Sequence, residues 1–62
     1  SSNLKSVRYD AVSETLEVTF QNKTVYQYHD VPVTAWNKFK KAESKGTFFA
    51  KNVKGDYSYT QV

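Results

Sequence analysis

A tyrosine-containing strand that passes through a proline into a helical stretch is the feature that most restricts the fold of this chain. The segment runs Val25-Tyr26-Gln27-Tyr28-His29-Asp30-Val31-Pro32. Tyr26 and Tyr28 share one face of the predicted strand, because successive side chains of a strand point to opposite faces. Pro32 fits the first turn of a helix, where its missing N–H breaks no hydrogen bond. The sequence therefore predicts a strand joined to a helix at Pro32.

An alternating pattern of apolar and polar residues predicts further strands. Leu16, Val18 and Phe20 alternate with polar residues, which gives this strand one buried face and one solvent-facing side. The predicted strands cover residues 5–10, 15–21 and 24–29, with a turn at 11–15 and a hairpin at Asn22-Lys23. A two-residue hairpin turn needs positive φ at both central positions, so either Lys23 is strained or the loop is longer.

The stretch from Pro32 to about Ser44 has the spacing of an amphipathic helix, with Trp36 and Phe39 on its apolar face. The opposite face carries Thr34, Lys38, Lys41 and Lys45. We expect Lys45-Gly46 to end this helix, because glycine readily takes the left-handed conformation found at helix ends. A short second helix with Phe48, Phe49 and Val53 and a closing strand with Tyr57 and Tyr59 should follow.

These patterns predict a single α+β domain over residues 1–62. The predicted fold is a three-stranded antiparallel β-meander, then one or two helices and a C-terminal strand, with the helices packed on one sheet face. At 62 residues such a domain is near the lower size limit for independent folding. The chain has no cysteine to form disulfides, which favours a cytoplasmic setting. We expect neither a membrane span nor a signal peptide.

The sequence favours a protein without catalytic activity, cofactor or metal. The one histidine, His29, is adjacent to Asp30, and neighbouring strand positions point to opposite faces, so the two do not form a base and its orienting group. Asp10, Glu14 and Glu17 flank a turn, where solvated carboxylates are the usual case. We predict local hydrogen bonding for Ser44, at the junction between the two helices.

The ten aromatic residues allow two interpretations. Rings beside cationic side chains stack on the bases of single strands, whereas in a domain this small the same rings must also supply the core. We favour the core for Tyr26, Tyr28, Trp36 and Phe39. The open side of the sheet then carries Arg8, Glu17, Thr19, Val25, Gln27 and His29, which offers no surface for base stacking.

Positive charge is concentrated in the second half of the chain. The net charge is +3, and residues 34–62 carry six lysines against two acidic residues. A phosphate-facing surface needs such a basic side, although small cationic domains without that role are common. The predicted nucleic-acid-binding residues are Lys38, Lys41, Lys45, Lys51 and Lys54. The alternative for these lysines is a solvated helix face.

Several short motifs follow one another in a recognisable order. They are Ser1-Ser2-Asn3-Leu4, Tyr9-Asp10, Leu16/Val18/Phe20, the segment from Val25 to Pro32, Ala42-Glu43-Ser44-Lys45-Gly46, Phe48-Phe49, Val53 and Tyr57. In this order the chain resembles the KTSC domain, found at the C-terminus of some lysyl-tRNA synthetases and as free-standing small proteins of bacteria and phages. RNA binding is the one activity that the resemblance implies, and Lys54 matches a basic position of the family pattern.

The sequence thus predicts a non-catalytic module that binds RNA or another nucleic acid weakly, with little sequence preference, through the lysines. The alternative is a protein-interaction module that docks a partner at a sheet edge or at a rim of tyrosines. An affinity that falls steeply as the salt concentration rises indicates nucleic-acid binding. An affinity that changes little with salt indicates a protein partner.

Overall fold

An antiparallel sheet with two helices inserted before its last strand forms the structure, a computed structural model that describes residues 4–62. The elements are β1 (Leu4–Asp10), β2 (Thr15–Phe20), β3 (Val25–Tyr28), α1 (Val33–Lys41), α2 (Lys45–Asn52) and β4 (Tyr59–Gln61). The strand order in the sheet is β1-β2-β3-β4. This confirms the predicted α+β class, the meander and the closing strand. Ser1, Ser2 and Asn3 of the first motif lie outside the described residues.

Both helices pack on the same face of the sheet, as predicted. On that face Leu16 pairs with Tyr28 and with Tyr9, so the apolar residues of neighbouring strands stand side by side. The helices contribute the buried rings of Phe39 and Phe49. The buried core consists of Leu16, Val18, Tyr28, Val31, Phe39, Phe49 and Val53.

The predicted core rings are buried to different degrees. Tyr28 and Phe39 are buried, as expected, whereas Tyr26 and Trp36 are half-buried and pack against the core from its edge. Trp36 stacks nearly parallel on Tyr9, with ring centroids 5.2 Å apart. Strand alternation therefore predicted the correct face for Tyr26 and Tyr28, and helical spacing did so for Trp36 and Phe39. Neither pattern predicted how deeply each ring is buried.

The hairpin between β2 and β3 has a three-residue loop, the longer of the two loops considered from the sequence. The Phe20 N–H donates to the Thr24 carbonyl and the Lys23 N–H donates to the Phe20 carbonyl, both at 2.9 Å. The loop is thus residues 21–23. Lys23 has φ of +72°, the left-handed conformation that ends three-residue hairpin loops and favours glycine.

The helix boundaries correct the prediction. The first helix ends at Lys41 rather than near Ser44, and Lys45-Gly46 begins the second helix instead of ending the first. Ser44 is the N-cap of α2, and its Oγ accepts a hydrogen bond from the Thr47 N–H at 3.3 Å. This confirms a local role for Ser44 at the junction between the helices.

Packing explains why the helix breaks. In one continuous helix, Phe49 would lie about 80° around the axis from Phe39, on the side away from Trp36. With the break, Phe49 packs edge-on against Phe20 and Tyr28, at centroid distances of 5.7 and 5.3 Å. The turn at the Ser44 cap thus lets both helices place a ring in the core.

The closing strand pairs with β3, which the sequence left undecided among the first three strands. Tyr28 is paired with Tyr59 and Gln27 with Thr60. Tyr57, which we expected within this strand, lies before it and forms an isolated bridge with Lys54. The pairing leaves β1 and β4 as the two edges of the sheet.

Candidate nucleic-acid interface

All five predicted lysines are exposed, but they do not form one line. Lys38 and Lys41 lie near the end of α1 and Lys51 near the end of α2. Lys45 belongs to α2, so the predicted stripe on a single helix is wrong for this residue. Its Nζ donates to the Lys40 carbonyl at 3.3 Å. Because α1 ends at Lys41, Lys45 caps the end of α1 instead of continuing the basic face of that helix.

The lysines of the two helices also have a structural role. The last turn of α1 contains Lys38, Lys40 and Lys41, and the last turn of α2 contains Lys51. Positive charge near a helix C-terminus is stabilised by the helix dipole, by about 0.3–1 kcal/mol at exposed positions. Lys40 is not among the predicted binding residues, and its Nζ lies 5.7 Å from the centre of the Trp36 ring.

Carboxylates do not neutralise these lysines. Among residues 4–62 the one ion pair within 4.0 Å joins Arg8 to Glu17 at 3.6 Å, on the opposite face of the sheet. The five predicted lysines therefore present their charge to solvent. A phosphate that approaches them does not have to displace a carboxylate from the protein.

The open face of the sheet is polar, as predicted. Cross-strand neighbours Arg8, Glu17 and Gln27 form a row, in which the Gln27 amide donates to Glu17 at 3.2 Å. At its end His29 Nε2 and the Thr60 hydroxyl are 2.8 Å apart. The strands that the structure describes place no Phe, Tyr or Trp ring on this face, so it has no row of such rings on which bases could stack.

A cleft beside the last strand was not predicted from the sequence. It has a volume of about 160 Å³ and lies on the helix side of the sheet. Its lining consists of Phe20, Tyr26, Tyr28, Phe49, Lys54 and Tyr59. The alternation around Tyr59 indicated a strand, but only the pairing of β4 with β3 brings this ring beside the other tyrosines. Lys54 therefore differs from the lysines on the helices, because Lys54 borders a group of aromatic rings.

Two tyrosines have perturbed hydroxyl groups. Burial raises the pKa of Tyr28, and the neighbouring Tyr59 and Tyr26 raise it further. Desolvation raises the pKa of Tyr9, with the carboxylates of Glu14 and Asp10 as further causes. The Tyr9 hydroxyl donates to the Val31 carbonyl at 2.6 Å. Both shifts favour the protonated, uncharged hydroxyl.

The acidic residues near the first turn have local roles. Asp10 Oδ1 accepts hydrogen bonds from the N–H groups of Val12 and Ser13, at 2.9 and 3.4 Å. Within residues 4–62 no three His, Asp or Glu side chains converge as a metal site would require. No helix in the same range has the length and apolar character needed to cross a membrane.

The sequence pattern of the KTSC domain matches residues 1–57 of the chain. The chain belongs to the KTSC domain family. A crystal structure of a KTSC domain protein from Yersinia pestis superposes on this KTSC domain with a TM-score of 0.93 and 37% identity. The match covers 100% of this chain and 87% of the other.

Curated relatives of this KTSC domain are much longer proteins. It is 38% identical over 59 residues to a lysine–tRNA ligase of Trichormus variabilis, and 36% identical over 59 residues to one of Nostoc sp.. The matches cover 95% of this chain but only 10% of each ligase. The relation is therefore to one small part of these enzymes.

Proposed function

We propose that this KTSC domain is a non-catalytic module that binds RNA weakly, with little sequence preference, through Lys38, Lys41, Lys45, Lys51 and Lys54. The observation that carries the proposal is the exposure of these lysines without a carboxylate partner among the described residues. Lysine ammonium groups contact phosphates as point charges, which positions a nucleic acid without reading its sequence.

The helices give this surface its extent. Lys45 and Lys51 lie near the two ends of α2, which spans about 12 Å at 1.5 Å per residue. Lys38 and Lys41 add charge from α1. An RNA strand that lies along α2 would meet two of the lysines, Lys45 at the first residue of the helix and Lys51 near the last. Non-specific contacts of this kind have dissociation constants of about 10⁻⁴–10⁻⁶ M at physiological salt.

The relatives support RNA over DNA as the ligand. The names of the matching ligases state that they act on tRNA, and the KTSC domain is about one-tenth of their length. A weak RNA-binding module attached to such an enzyme would raise the local concentration of its RNA substrate. The same chemistry would serve a domain of this family in another protein.

Salt dependence tests the proposal. Fluorescence anisotropy with a labelled mixed-sequence 12-nucleotide RNA, measured over a series of salt concentrations, should give a log–log slope of about −3.5 for five neutralised phosphates. Lys38→Gln/Lys41→Gln should reduce the magnitude of this slope by about 1.4. Arg8→Gln/Lys23→Gln removes the same charge from exposed positions outside the proposed surface, with Arg8 on the open face of the sheet, and should change the slope much less.

Two results would contradict the proposal. Equal effects of the two double variants would mean that net charge, and not this surface, determines binding. Failure of the parent protein to bind RNA at about 20 mM salt, where screening is weak, would exclude the nucleic-acid function.

A protein partner at the edge of β1 is the second candidate. This strand is seven residues long, and its outer edge is unpaired in the sheet. A cleft of about 210 Å³ beside it is lined by Leu4, Lys5, Ser6, Val7, Lys45 and Gly46. An extended peptide could add a strand here through backbone hydrogen bonds. Such binding would change little with salt, which distinguishes it from RNA binding.

A further inference from the structure

The cleft at the β3–β4 end of the sheet has the parts of a site for a planar ring. Tyr26 and Tyr59 meet edge to face, with centroids 5.1 Å apart and an interplanar angle of 78°. Tyr28 lies 5.3 Å from Tyr59 at an angle of 35°. These rings form the walls of one concave surface with Phe20 and Phe49.

This cleft differs from the buried core because one of its walls, Tyr59, is exposed. The residue is 57% exposed, whereas Tyr28 behind it is 3% exposed. A single exposed aromatic residue is common on protein surfaces. Here the exposed ring instead borders a cleft whose other walls are also aromatic. More than half of the Tyr59 surface is therefore accessible to a planar ring that enters the cleft.

The size and charge of the cleft restrict what can enter. Its volume of about 160 Å³ is below the roughly 300–1,000 Å³ of pockets for drug-sized ligands, so it suits one ring system. Lys54 at its border adds a positive charge. A nucleotide combines a planar base with a negative phosphate, and so complements both the rings and the lysine.

We propose that the cleft binds one unstacked base of a single-stranded RNA, with Tyr59 stacking on the base and Lys54 contacting the adjacent phosphate. This proposal rests on the proposed function, because it names the part of the RNA that the domain holds in addition to the backbone. Base stacking tolerates any base, so it adds affinity without sequence preference. One stacked base should strengthen binding by about 5- to 150-fold.

Two RNA probes of equal charge test the proposal. One is a ten-nucleotide oligoadenylate, and the other is an abasic ten-unit ribose-phosphate chain. The parent domain should bind the oligoadenylate about 5- to 150-fold more tightly. Tyr59→Leu keeps an apolar side chain but removes the aromatic face, and should bring the affinity for oligoadenylate down to that for the abasic chain. Tyr59→Phe keeps the ring, and should preserve the difference.

The outcomes separate this proposal from the proposed function. Equal binding of the two probes by the parent overturns the base site and leaves phosphate binding intact. Failure to bind either probe at low salt overturns both proposals. If Tyr59→Leu does not fold, NMR of the parent decides, because a stacked adenine must show upfield-shifted ring protons and contacts to Tyr59. Absence of these signals in a saturated complex overturns the proposal.

Discussion

Tyr28 shows how one position combines structural and functional roles. Its ring is buried against Phe49 at a centroid distance of 5.3 Å, and it also forms the back wall of the aromatic cleft. The period of the strand predicted the face of this ring correctly. Its contact with Tyr59, 31 residues further along the chain, could not be predicted, because strand pairing depends on the whole chain and not on a local pattern.

The raised pKa of Tyr28 predicts a loss of stability at alkaline pH. Because the folded-state pKa lies above the unfolded value of about 10, folding favours the neutral hydroxyl. The resulting contribution to the free energy of unfolding is fully present below about pH 10 and is lost as the pH rises through the folded-state pKa. Tyr28→Phe keeps the ring without the ionisable group. Its free energy of unfolding should therefore fall less steeply than that of the parent as the pH rises above about 10.

Urea unfolding at a series of pH values from neutral to alkaline measures this difference. Tyr57→Phe is the matched control, because it removes the hydroxyl of a half-buried tyrosine outside the cleft. Lysine deprotonation contributes similarly to all three proteins and so cancels in the comparison. A Tyr28→Phe curve parallel to that of the parent would show that this hydroxyl does not contribute to alkaline unfolding.

At the scale of the elements, the strands were predictable and the helix boundary was not. Alternation of Leu16, Val18 and Phe20 specifies a strand from local sequence alone. Ser44 and Gly46, by contrast, are compatible with the end of one helix or the start of the next. The choice depends on where Phe49 must pack, which is a tertiary requirement. This boundary also determines on which element Lys45 lies, so the error in the helix became an error in the site.

The hairpin between β2 and β3 predicts a stabilising substitution. Lys23 has φ of +72°, a conformation that costs an ordinary residue about 1 kcal/mol or more and glycine almost nothing. Lys23→Gly should therefore raise the free energy of unfolding by up to about 1 kcal/mol, even though glycine gains entropy in the unfolded chain. Thermal or urea unfolding measures the change.

Gln21→Gly is the control for this substitution. Gln21 lies in the same loop but is not among the residues with positive φ. Glycine there adds flexibility to the unfolded chain and removes the hydrogen bond from Gln21 Nε2 to the Leu4 carbonyl, so it should destabilise the protein. If both variants shift stability in the same direction, the conformation of Lys23 is not a source of strain.

At the scale of the whole molecule, the charge asymmetry was predictable and its arrangement was not. Counting residues locates the excess of lysines in residues 34–62. Their positions in space depend on the break between α1 and α2 and on the pairing of β4 with β3, which places Lys54 at the aromatic cleft. Both features follow from how the rings share one small core. The core and the proposed binding surface are therefore parts of the same packing arrangement.

Because both helices and the sheet share this core, the domain should unfold as one cooperative unit. Phe49 is 1% exposed and contacts Phe20 and Tyr28 on two strands. Phe49→Ala should cost about 3–5 kcal/mol, which is comparable to the total stability of a domain this small, so the variant should be largely unfolded. Val12→Ala, at a 96% exposed position, should leave stability unchanged.

Thermal melts of the parent followed by far-ultraviolet circular dichroism and by Trp36 fluorescence should coincide. A folded Phe49→Ala protein, or two separate transitions in the parent, would show that the helices and the sheet are stabilised independently.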